Sequence, residues 1–216
     1  MSLNKEIQEK VSSMNLPEEV IQVVSRSIID NGKGKVQGLP VGSKAPDFIL
    51  NNASGDLVRL SDQLKKGQVV LSFFRGEWCP FCSLELLALN KIEGQIKSLN
   101  GHILSVHPQR IANSLSLTTQ FDLKFEILSD PNQEVLEAYR VRFDLNKDIR
   151  RLYLDTFGFD LGLLNANGEW NLPVPATYII DQQGIIRYRH YDHDYMERME
   201  PQAILDALRE LHQVAA

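Results

Sequence analysis

The sequence predicts an α/β fold in which helices flank a central sheet rich in parallel strands. From residue 69 onward, short apolar segments typical of strands alternate with helical patterns of apolar residues. Residues 69–74, Val-Val-Leu-Ser-Phe-Phe, suit a strand that is buried on both faces of such a sheet. Hydrophobic residues make up 43% and charged residues 24% of the chain, which is ordinary globular composition and excludes disordered, collagen-like and coiled-coil proteins.

Net charge and the polar N-terminus exclude further classes of protein. The chain of 216 residues has 23 Lys and Arg against 28 Asp and Glu, a formal net charge of −5 that favours neither nucleic acid nor anionic membrane surfaces. Its apolar runs are shorter than the roughly 18 residues that a membrane span needs. Residues 1–11 mix lysines with glutamates and lack the apolar middle region of a signal peptide. We therefore expect a cytoplasmic protein that binds neither nucleic acid nor membranes.

Residues 1–37 predict an N-terminal helical arm. Apolar residues recur every four positions from Leu3 to Val11, which is typical of one helix. A second helix is predicted to begin near Pro17 and to end at the Asn-Gly-Lys-Gly of residues 31–34. We expect the arm to pack on the core, and a dimerisation arm is the alternative.

Residues 38–216 predict one further domain. It opens with a β-hairpin over residues 48–60, with its turn at residues 52–56. Strands and helices are then predicted to alternate, in the order strand, helix, strand, helix, strand, helix, over residues 69–74, 84–99, 103–106, 109–120, 125–128 and 135–139.

Residues 142–171 interrupt the alternation and predict an insertion with short helical turns. This segment combines aromatic residues with several glycines, and we expect the aromatic side chains to form a satellite core rather than a substrate cage. After it, residues 176–180 and 185–188 predict a second hairpin, and a last helix is predicted to begin at Pro201.

A pair of cysteines carries the chemistry that the sequence predicts. Cys79 and Cys82 are the only cysteines, and they lie where the buried strand passes into the first turn of a helix. Unpaired backbone N–H groups and the helix dipole at this position stabilise a thiolate. The spacing of three residues puts both sulfurs on one face of the helix, so one thiol is able to resolve a mixed disulfide or sulfenic acid formed on the other. Pro80 suits the first helical position because its missing N–H needs no partner there.

Two other interpretations of the cysteine pair compete with redox chemistry. Buried structural cysteines are common, but two of them at a strand-to-helix junction are an unusual coincidence. Zinc would require further ligands such as His190 and His193, whose spacing is tighter than usual and whose distance along the chain is far beyond that of a zinc finger. The sequence therefore favours a redox role and predicts no metal and no cofactor.

Three segments of the chain carry motifs found in a known superfamily. They are residues 41–48, Val-Gly-Ser-Lys-Ala-Pro-Asp-Phe, residues 78–82, Trp-Cys-Pro-Phe-Cys, and residues 174–181, Val-Pro-Ala-Thr-Tyr-Ile-Ile-Asp. With these motifs the chain resembles the peroxiredoxin-like branch of the thioredoxin superfamily, the alkyl hydroperoxide reductase and thiol-specific antioxidant proteins, over roughly residues 38–213. The resemblance implies a thioredoxin-like fold, with a mixed central sheet flanked by helices and with the insertion before the last hairpin.

The resemblance implies site residues for two different reactions. In a thioredoxin-like disulfide reductase, Cys79 attacks, Cys82 resolves and Pro175 is a cis-proline beside the sulfurs. In a peroxidase, Cys82 corresponds to the peroxidatic cysteine of the P-x-x-x-T-x-x-C motif, and Cys79 stands at the threonine and forms the disulfide with it. The family's active-site arginine is replaced by Pro175 in this chain. Arg75 then takes the role of that arginine and polarises the peroxide. The substrate-binding residues implied beside the cysteines are Trp78, Pro80 and Phe81.

We therefore expect an antioxidant oxidoreductase with a redox-active disulfide bond. Its expected partners are a small oxidant, such as hydrogen peroxide or an organic hydroperoxide, and a thiol reductant, such as thioredoxin or a low-molecular-weight thiol. A homodimer is a further expectation. Two alternatives stay open at this point, a protein disulfide reductase and a non-enzymatic binding module with a thioredoxin fold.

Overall fold

The structure is a computed structural model that describes residues 2–32 and 37–215. In this part of the chain the helices are α1 Leu3–Ser13, α2 Glu18–Gly32, α3 Leu60–Leu64, α4 Pro80–Ser98, α5 Ile111–Phe121, α6 Glu134–Ala138, α7 Lys147–Leu152, α8 Leu161–Leu164 and α9 Pro201–Ala215. The strands are β1 Ile49–Asn52, β2 Leu57–Arg59, β3 Gln68–Phe73, β4 Gly101–His107, β5 Glu126–Ser129, β6 Arg142–Asp144, β7 Asn171–Pro173, β8 Ala176–Ile180 and β9 Ile186–Tyr191. A π-helical segment, Tyr153–Phe157, follows α7 directly.

Seven strands form the central sheet in the order β2-β1-β5-β4-β3-β8-β9. The pairs β3–β4 and β4–β5 are parallel, and every other pair in this sheet is antiparallel. The mixed sheet is confirmed, whereas the prediction that parallel strands predominate is wrong. The reason is that a hairpin at each edge adds two antiparallel pairs, and these four pairs outnumber the two parallel pairs of the centre.

Strand β3 lies in the middle of the molecule and is buried along its whole length. Val69, Leu71 and Phe73 contribute to the cluster on one face of the sheet, and Val70 joins the helices α4 and α9 on the other. This alternation is the two-residue period of a strand. It also places Ser72 on the face that α4 covers, where its hydroxyl meets a carboxylate described below.

The N-terminal arm consists of α1 and α2 and packs on the rest of the chain, as predicted. Leu3 and Ile7 are buried against α4. The carboxylate of Glu200 accepts the backbone N–H groups of Leu3 and Asn4, at 2.9 Å each, and so caps the first turn of α1. Residues 33–36 of the predicted linker after α2 lie outside the described residues.

The insertion contains helical turns, as predicted, and also a two-stranded antiparallel sheet of β6 and β7 that the sequence pattern did not indicate. Each of these strands has only three residues, which is too short for an alternating pattern to stand out. The aromatic residues of the insertion form a satellite core with Val20 of α2 and with Trp78. Helix α2 therefore rests on the insertion while α1 rests on α4.

None of the helices in residues 2–32 and 37–215 is both long enough and apolar enough to span a bilayer.

Candidate active site

The loop between β3 and α4 is shaped by one glycine. Gly76 has a φ of +148°, and a Cβ at this position would lie 2.5 Å from Oε1 of Gln109. That oxygen accepts the backbone N–H of Glu77 at 2.7 Å, and the carbonyl oxygen of Gly76 accepts the N–H of Cys79 at 3.2 Å. Only glycine combines this backbone angle with this close approach. This turn places Cys79 at the start of helix α4.

Cys79 is the N-cap residue of α4 and Pro80 is its first helical residue, as the sequence predicted. Both cysteines are free thiols. Their exposures are low, 2% for Cys79 and 0% for Cys82, because helices and the insertion cover this end of the sheet. The site is therefore a pair of thiols at a helix N-terminus that is almost closed to solvent.

The two thiols have opposite acidities. Burial raises the pKa of the Cys79 thiol, but the hydrogen bond from Cys82 and the positive charges of Arg75 and Arg198 outweigh burial and lower this pKa to about 6. Burial, together with the hydrogen bond that Cys82 donates and the negative charge of Cys79, raises the pKa of the Cys82 thiol well above its ordinary value. At neutral pH the pair is therefore a Cys79 thiolate accepting a hydrogen bond from a Cys82 thiol.

Arg75 is a buried cation that lines the same cavity as Cys79. It is 4% exposed, and its Nη1 donates to the hydroxyl of Tyr153 at 3.2 Å. Its guanidinium carbon lies 3.7 Å from the ring centroid of Tyr195, a close cation–π contact. Among the described residues no carboxylate forms a salt bridge with Arg75. Its charge is one of the two positive charges that lower the pKa of the Cys79 thiol.

Replacing Arg75 by methionine is expected to raise the pKa of the Cys79 thiol toward the ordinary value of about 8.5. The reason is that the thiolate loses one of the two cations that stabilise it in a buried site. The ultraviolet absorbance of the thiolate, followed against pH in the reduced protein, measures this pKa. Arg75→Lys is the matched control, because it keeps the charge, and it should stay closer to the wild type. Identical titrations of Arg75→Met and the wild type would contradict the assignment.

A buried ion pair lies behind the sulfurs and was not predicted from the sequence. Nε of Arg198 donates to Oε2 of Glu85 at 2.7 Å, and the two side chains are 1% and 3% exposed. Nη2 of Arg198 lies 3.8 Å from Sγ of Cys82. The other carboxylate oxygen of Glu85 accepts the hydroxyls of Ser72 at 3.2 Å and Thr177 at 3.5 Å. Arg198 is therefore a second cation of the site, held in place by a carboxylate.

The backbone around Arg198 is tied to the arm. Its N–H donates to Oδ1 of Asn4 at 2.9 Å, and the side-chain amide of Asn4 donates to its carbonyl oxygen at 2.9 Å. Nη1 of Arg198 donates to the carbonyl oxygens of Tyr195 and Glu197. The arm, the segment before α9 and the cysteine pair are thus joined in one network.

An apolar cavity of 130 Å³ opens above Cys79. The arm contributes Met14, Leu16 and Val24, and the insertion contributes Tyr153, Phe157 and Phe159. The remaining walls include Arg75, Trp78, Pro80, Phe81 and Tyr195. The predicted site residues Arg75, Trp78, Pro80 and Phe81 therefore surround Cys79, whereas Cys82 does not line the cavity. The aromatic residues of the insertion serve both as a satellite core and as cavity wall, so the expectation of a satellite core alone is too narrow.

Pro175 does not have the expected conformation. In the described residues every peptide bond is trans, including the one before Pro175. The N–H of Val174 donates to the carbonyl oxygen of Val141 at 2.8 Å, so the chain continues directly from β7 into β8. A trans bond, which X-Pro prefers by about 0.5–1 kcal/mol, fits this extended path. Pro175 also does not line the cavity above Cys79, so its prediction as a cis-proline beside the sulfurs is corrected.

The remaining polar candidates lie elsewhere. Within residues 2–32 and 37–215, no group of three or more His, Cys, Asp and Glu side chains is placed to hold a metal ion. His107 is fully buried, bonds to the hydroxyl of Ser114 at 2.7 Å, and has a pKa that burial lowers to about 3. It is a neutral residue of the core.

A thiolate and a thiol lie at the first turn of a helix, beside two buried arginines and just after the central strand of a mixed α/β sheet. This arrangement defines a thiol oxidoreductase. Residues 41–189 match the AhpC/TSA family, and the chain belongs to this family. The prediction of an oxidoreductase of the peroxiredoxin-like branch is thereby confirmed.

Curated relatives fall into two groups. The chain is 30% identical over 157 residues to the putative peroxiredoxin bcp of Helicobacter pylori, covering 73% of this chain and 91% of the relative. It is 28% identical over 169 residues to the thiol-disulfide oxidoreductase ResA of Geobacillus kaustophilus, covering 78% of this chain and 79% of the relative. Both groups use thiol redox chemistry, which is therefore the chemistry of this chain.

Comparison with solved structures confirms that this chain has the thioredoxin-like fold of peroxiredoxins. The chain superimposes on peroxidoxin BcpB of Mycobacterium tuberculosis with a TM-score of 0.64 and 18% identity, covering 80% of this chain and 98% of the other. A mutant of peroxiredoxin 6 of Arenicola marina gives a TM-score of 0.66 and 15% identity, covering 82% and 76%.

Proposed function

We propose that the protein is a thiol peroxidase in which the Cys79 thiolate attacks a small peroxide. The observation that carries this proposal is the position of Cys79, 2% exposed at the base of an apolar cavity of 130 Å³. A peroxide fits such a cavity, whereas a protein disulfide cannot bring its sulfur to Cys79 while the arm covers it. Activity on peroxides is also what the names of the bcp relatives suggest.

The proposed reaction uses Cys79 first and Cys82 second. The Cys79 thiolate attacks the terminal peroxide oxygen, the O–O bond breaks, and Cys79 becomes a sulfenic acid. The leaving oxygen takes the proton of the Cys82 thiol and departs as water or an alcohol. The Cys82 thiolate then attacks the Cys79 sulfur and expels hydroxide, which leaves an intramolecular disulfide. Two thiols of an external reductant return the pair to the reduced state and are themselves oxidised to a disulfide.

Three features favour this assignment of roles over the reverse order. Cys79 has the lowered pKa and lines the cavity, whereas Cys82 has the raised pKa and is fully buried. Arg75 lines the cavity and is available to polarise the peroxide oxygens. Arg198 contacts Cys82, so it stabilises the Cys82 thiolate when the proton leaves.

A protein disulfide reductase is the second candidate function. The favouring observation is that a nucleophilic thiol at the helix N-cap with a second thiol three residues later also suits disulfide exchange. The ResA relatives carry that activity in their names. Mixing the reduced protein with hydrogen peroxide, or with an oxidised polypeptide that has an accessible disulfide, separates the two. The peroxidase proposal fails if the peroxide reacts no faster than it does with free cysteine.

The rate constant for peroxide is expected to follow the Cys79 thiolate. Because the pKa of this thiol lies at about 6, the rate constant should be half its maximum near that pH and constant above about pH 7. Cys82→Ala should move the midpoint to higher pH, since the hydrogen bond to the thiolate is lost, while Cys82→Ser keeps a donor and is the control. Stopped-flow measurement of the first turnover gives the profile. A midpoint near pH 8.5 in the wild type would contradict it.

The reductant, the compartment and the oligomeric state belong to the same proposal. A disulfide at Cys79 and Cys82 needs a thiol donor such as thioredoxin or a low-molecular-weight thiol, and both are plentiful where cysteines are kept reduced, as in the cytoplasm. We propose that this is where the protein works. A homodimer is part of the proposal too, and sedimentation of the reduced and the oxidised protein tests it.

A further inference from the structure

Tyr153 begins the π-helical segment of the insertion and lines the cavity above Cys79. The sequence predicts a place for its ring in the satellite core and no role for its hydroxyl. We propose that Tyr153 is a positioning residue, whose hydroxyl holds the guanidinium of Arg75 beside Cys79. This inference rests on the proposed function, because it gives the insertion a part in activating the thiol that attacks.

The π-helical turn fixes the orientation of Tyr153. Its carbonyl oxygen accepts the backbone N–H of Gly158 and, at 2.8 Å, that of Phe159. Gly158 ends the turn with a φ of +71°, in the left-handed region. The ring of Tyr153 makes edge-to-face contacts with those of Trp78 and Phe157, at centroid distances of 5.7 Å and 6.0 Å. Turns of this kind are rare and often lie at functional sites.

The hydroxyl of Tyr153 gives Arg75 its direction. It accepts a hydrogen bond from Nη1 at 3.2 Å, which is the only hydrogen bond to this guanidinium within the described residues. The other partners of Arg75 are the rings of Tyr195, 3.7 Å from the guanidinium carbon, and Phe143, at 5.9 Å. A cation–π contact leaves the guanidinium free to turn over the ring, whereas a hydrogen bond has a preferred direction.

A phenol holds the cation without cancelling its charge. Burial raises the pKa of the Tyr153 hydroxyl above its ordinary value of about 10, so the group stays neutral over the range in which the Cys79 thiol ionises. Arg198 is held differently, because the carboxylate of Glu85 lies 2.7 Å away and offsets part of its charge. Of the two arginines, Arg75 lowers the pKa of the Cys79 thiol more. The placement of Arg75 is therefore the one on which this pKa depends most.

Tyr153→Phe removes the hydroxyl and keeps the ring. Arg75 then lacks its acceptor, and the pKa of the Cys79 thiol should rise from about 6 to about 7 or higher, but no further than in Arg75→Met. The ultraviolet absorbance of the thiolate in the reduced protein measures it. Tyr195→Phe is the matched control, because it also removes a phenol hydroxyl at the cavity but keeps the ring that Arg75 contacts. Its thiol pKa should stay close to that of the wild type.

The Arg75→Met background shows whether Tyr153 acts through Arg75. In this background Tyr153→Phe should leave the pKa of the Cys79 thiol unchanged, because no cation remains to be positioned. A merely structural effect of the lost hydroxyl would shift this pKa equally with and without Arg75, and that result overturns the inference. Identical titrations of Tyr153→Phe and the wild type overturn it as well.

A measurement on the wild type covers the case in which Tyr153→Phe does not fold. Nitrogen NMR of the Arg75 side chain, assigned by its loss in Arg75→Met, should show separate Nη resonances, because the hydrogen bond slows rotation of the guanidinium. A single averaged Nη resonance overturns the inference. Neither the titration nor the NMR needs peroxide. If Tyr153→Phe raises the pKa while the wild type reduces peroxide no faster than free cysteine does, the positioning role stands and the peroxidase proposal fails.

Discussion

Cys79→Ser is expected to lose peroxide reduction by on the order of 10³-fold or more. The serine hydroxyl is not ionised at neutral pH, whereas the thiol it replaces has a pKa of about 6 in a site with two buried cations. The measurement is the rate of peroxide consumption in the presence of excess thiol reductant. Full activity of Cys79→Ser would assign the attack to the other cysteine.

Cys82→Ser is the matched control for this experiment. It leaves Cys79, both arginines and a hydrogen-bond donor in place, so the first equivalent of peroxide should still react far faster than with free cysteine. The reaction should then stop at a sulfenic acid on Cys79, because the thiol that resolves it is absent. Trapping by a sulfenic-acid reagent, followed by mass spectrometry, identifies the cysteine. A trapped group in Cys79→Ser instead would reverse the proposed roles.

Arg198→Met is expected to reduce the free energy of unfolding by about 3–5 kcal/mol, the usual cost of removing one partner from a buried ion pair. Glu85 would remain as an uncompensated charge in a position that is 2% exposed. Chemical denaturation of the reduced protein measures the loss. The same variant should raise the pKa of the Cys79 thiol, because Arg198 is one of the charges that lower it.

Arg198→Met with Glu85→Leu separates the two effects. Removing both charges leaves no unpaired group, so much of the lost stability should return. The Cys79 pKa should stay high in the double variant, since the cation is still missing. The single variant Arg209→Met is the control, because this arginine is 45% exposed and its ion pair contributes about 1 kcal/mol or less. Equal stabilities of Arg198→Met and Arg209→Met would contradict the burial argument.

Local patterns predicted most of the secondary structure and the position of the cysteine pair at the start of α4. The apolar period identified β3 and α4, and the helix start at Pro80 placed Cys79 at the N-cap. These features depend on neighbours in sequence, so one sequence is enough to find them. The edges of the sheet were harder, because the direction of a strand depends on contacts that the local pattern does not contain.

The second arginine of the site could not be predicted by position, because Arg198 reaches Cys82 across 116 residues of chain. One signal for it was present. Glu85 lies on the apolar face of α4, between Cys82 and Leu89, and a carboxylate on a buried face requires a cation or a hydrogen-bond donor. This signal predicts that Glu85 has a partner, but it does not identify which residue the partner is. The cavity walls formed by the arm and the insertion were not predicted either, because these two segments are far apart in sequence and meet only in the folded chain.

The cap of α1 by Glu200 has a consequence for synthesis in the cell. The two bonded amides are 197 and 196 residues away from Glu200 along the chain, so α1 receives this cap only after almost 200 further residues have been made. At translation speeds of about 5–20 residues per second, this delay is roughly 10–40 s. Until residue 198 has been made, Cys79 and Cys82 lack Arg198, the second cation of the site. A nascent chain interrupted before residue 198 therefore carries both thiols without the second cation of the finished site.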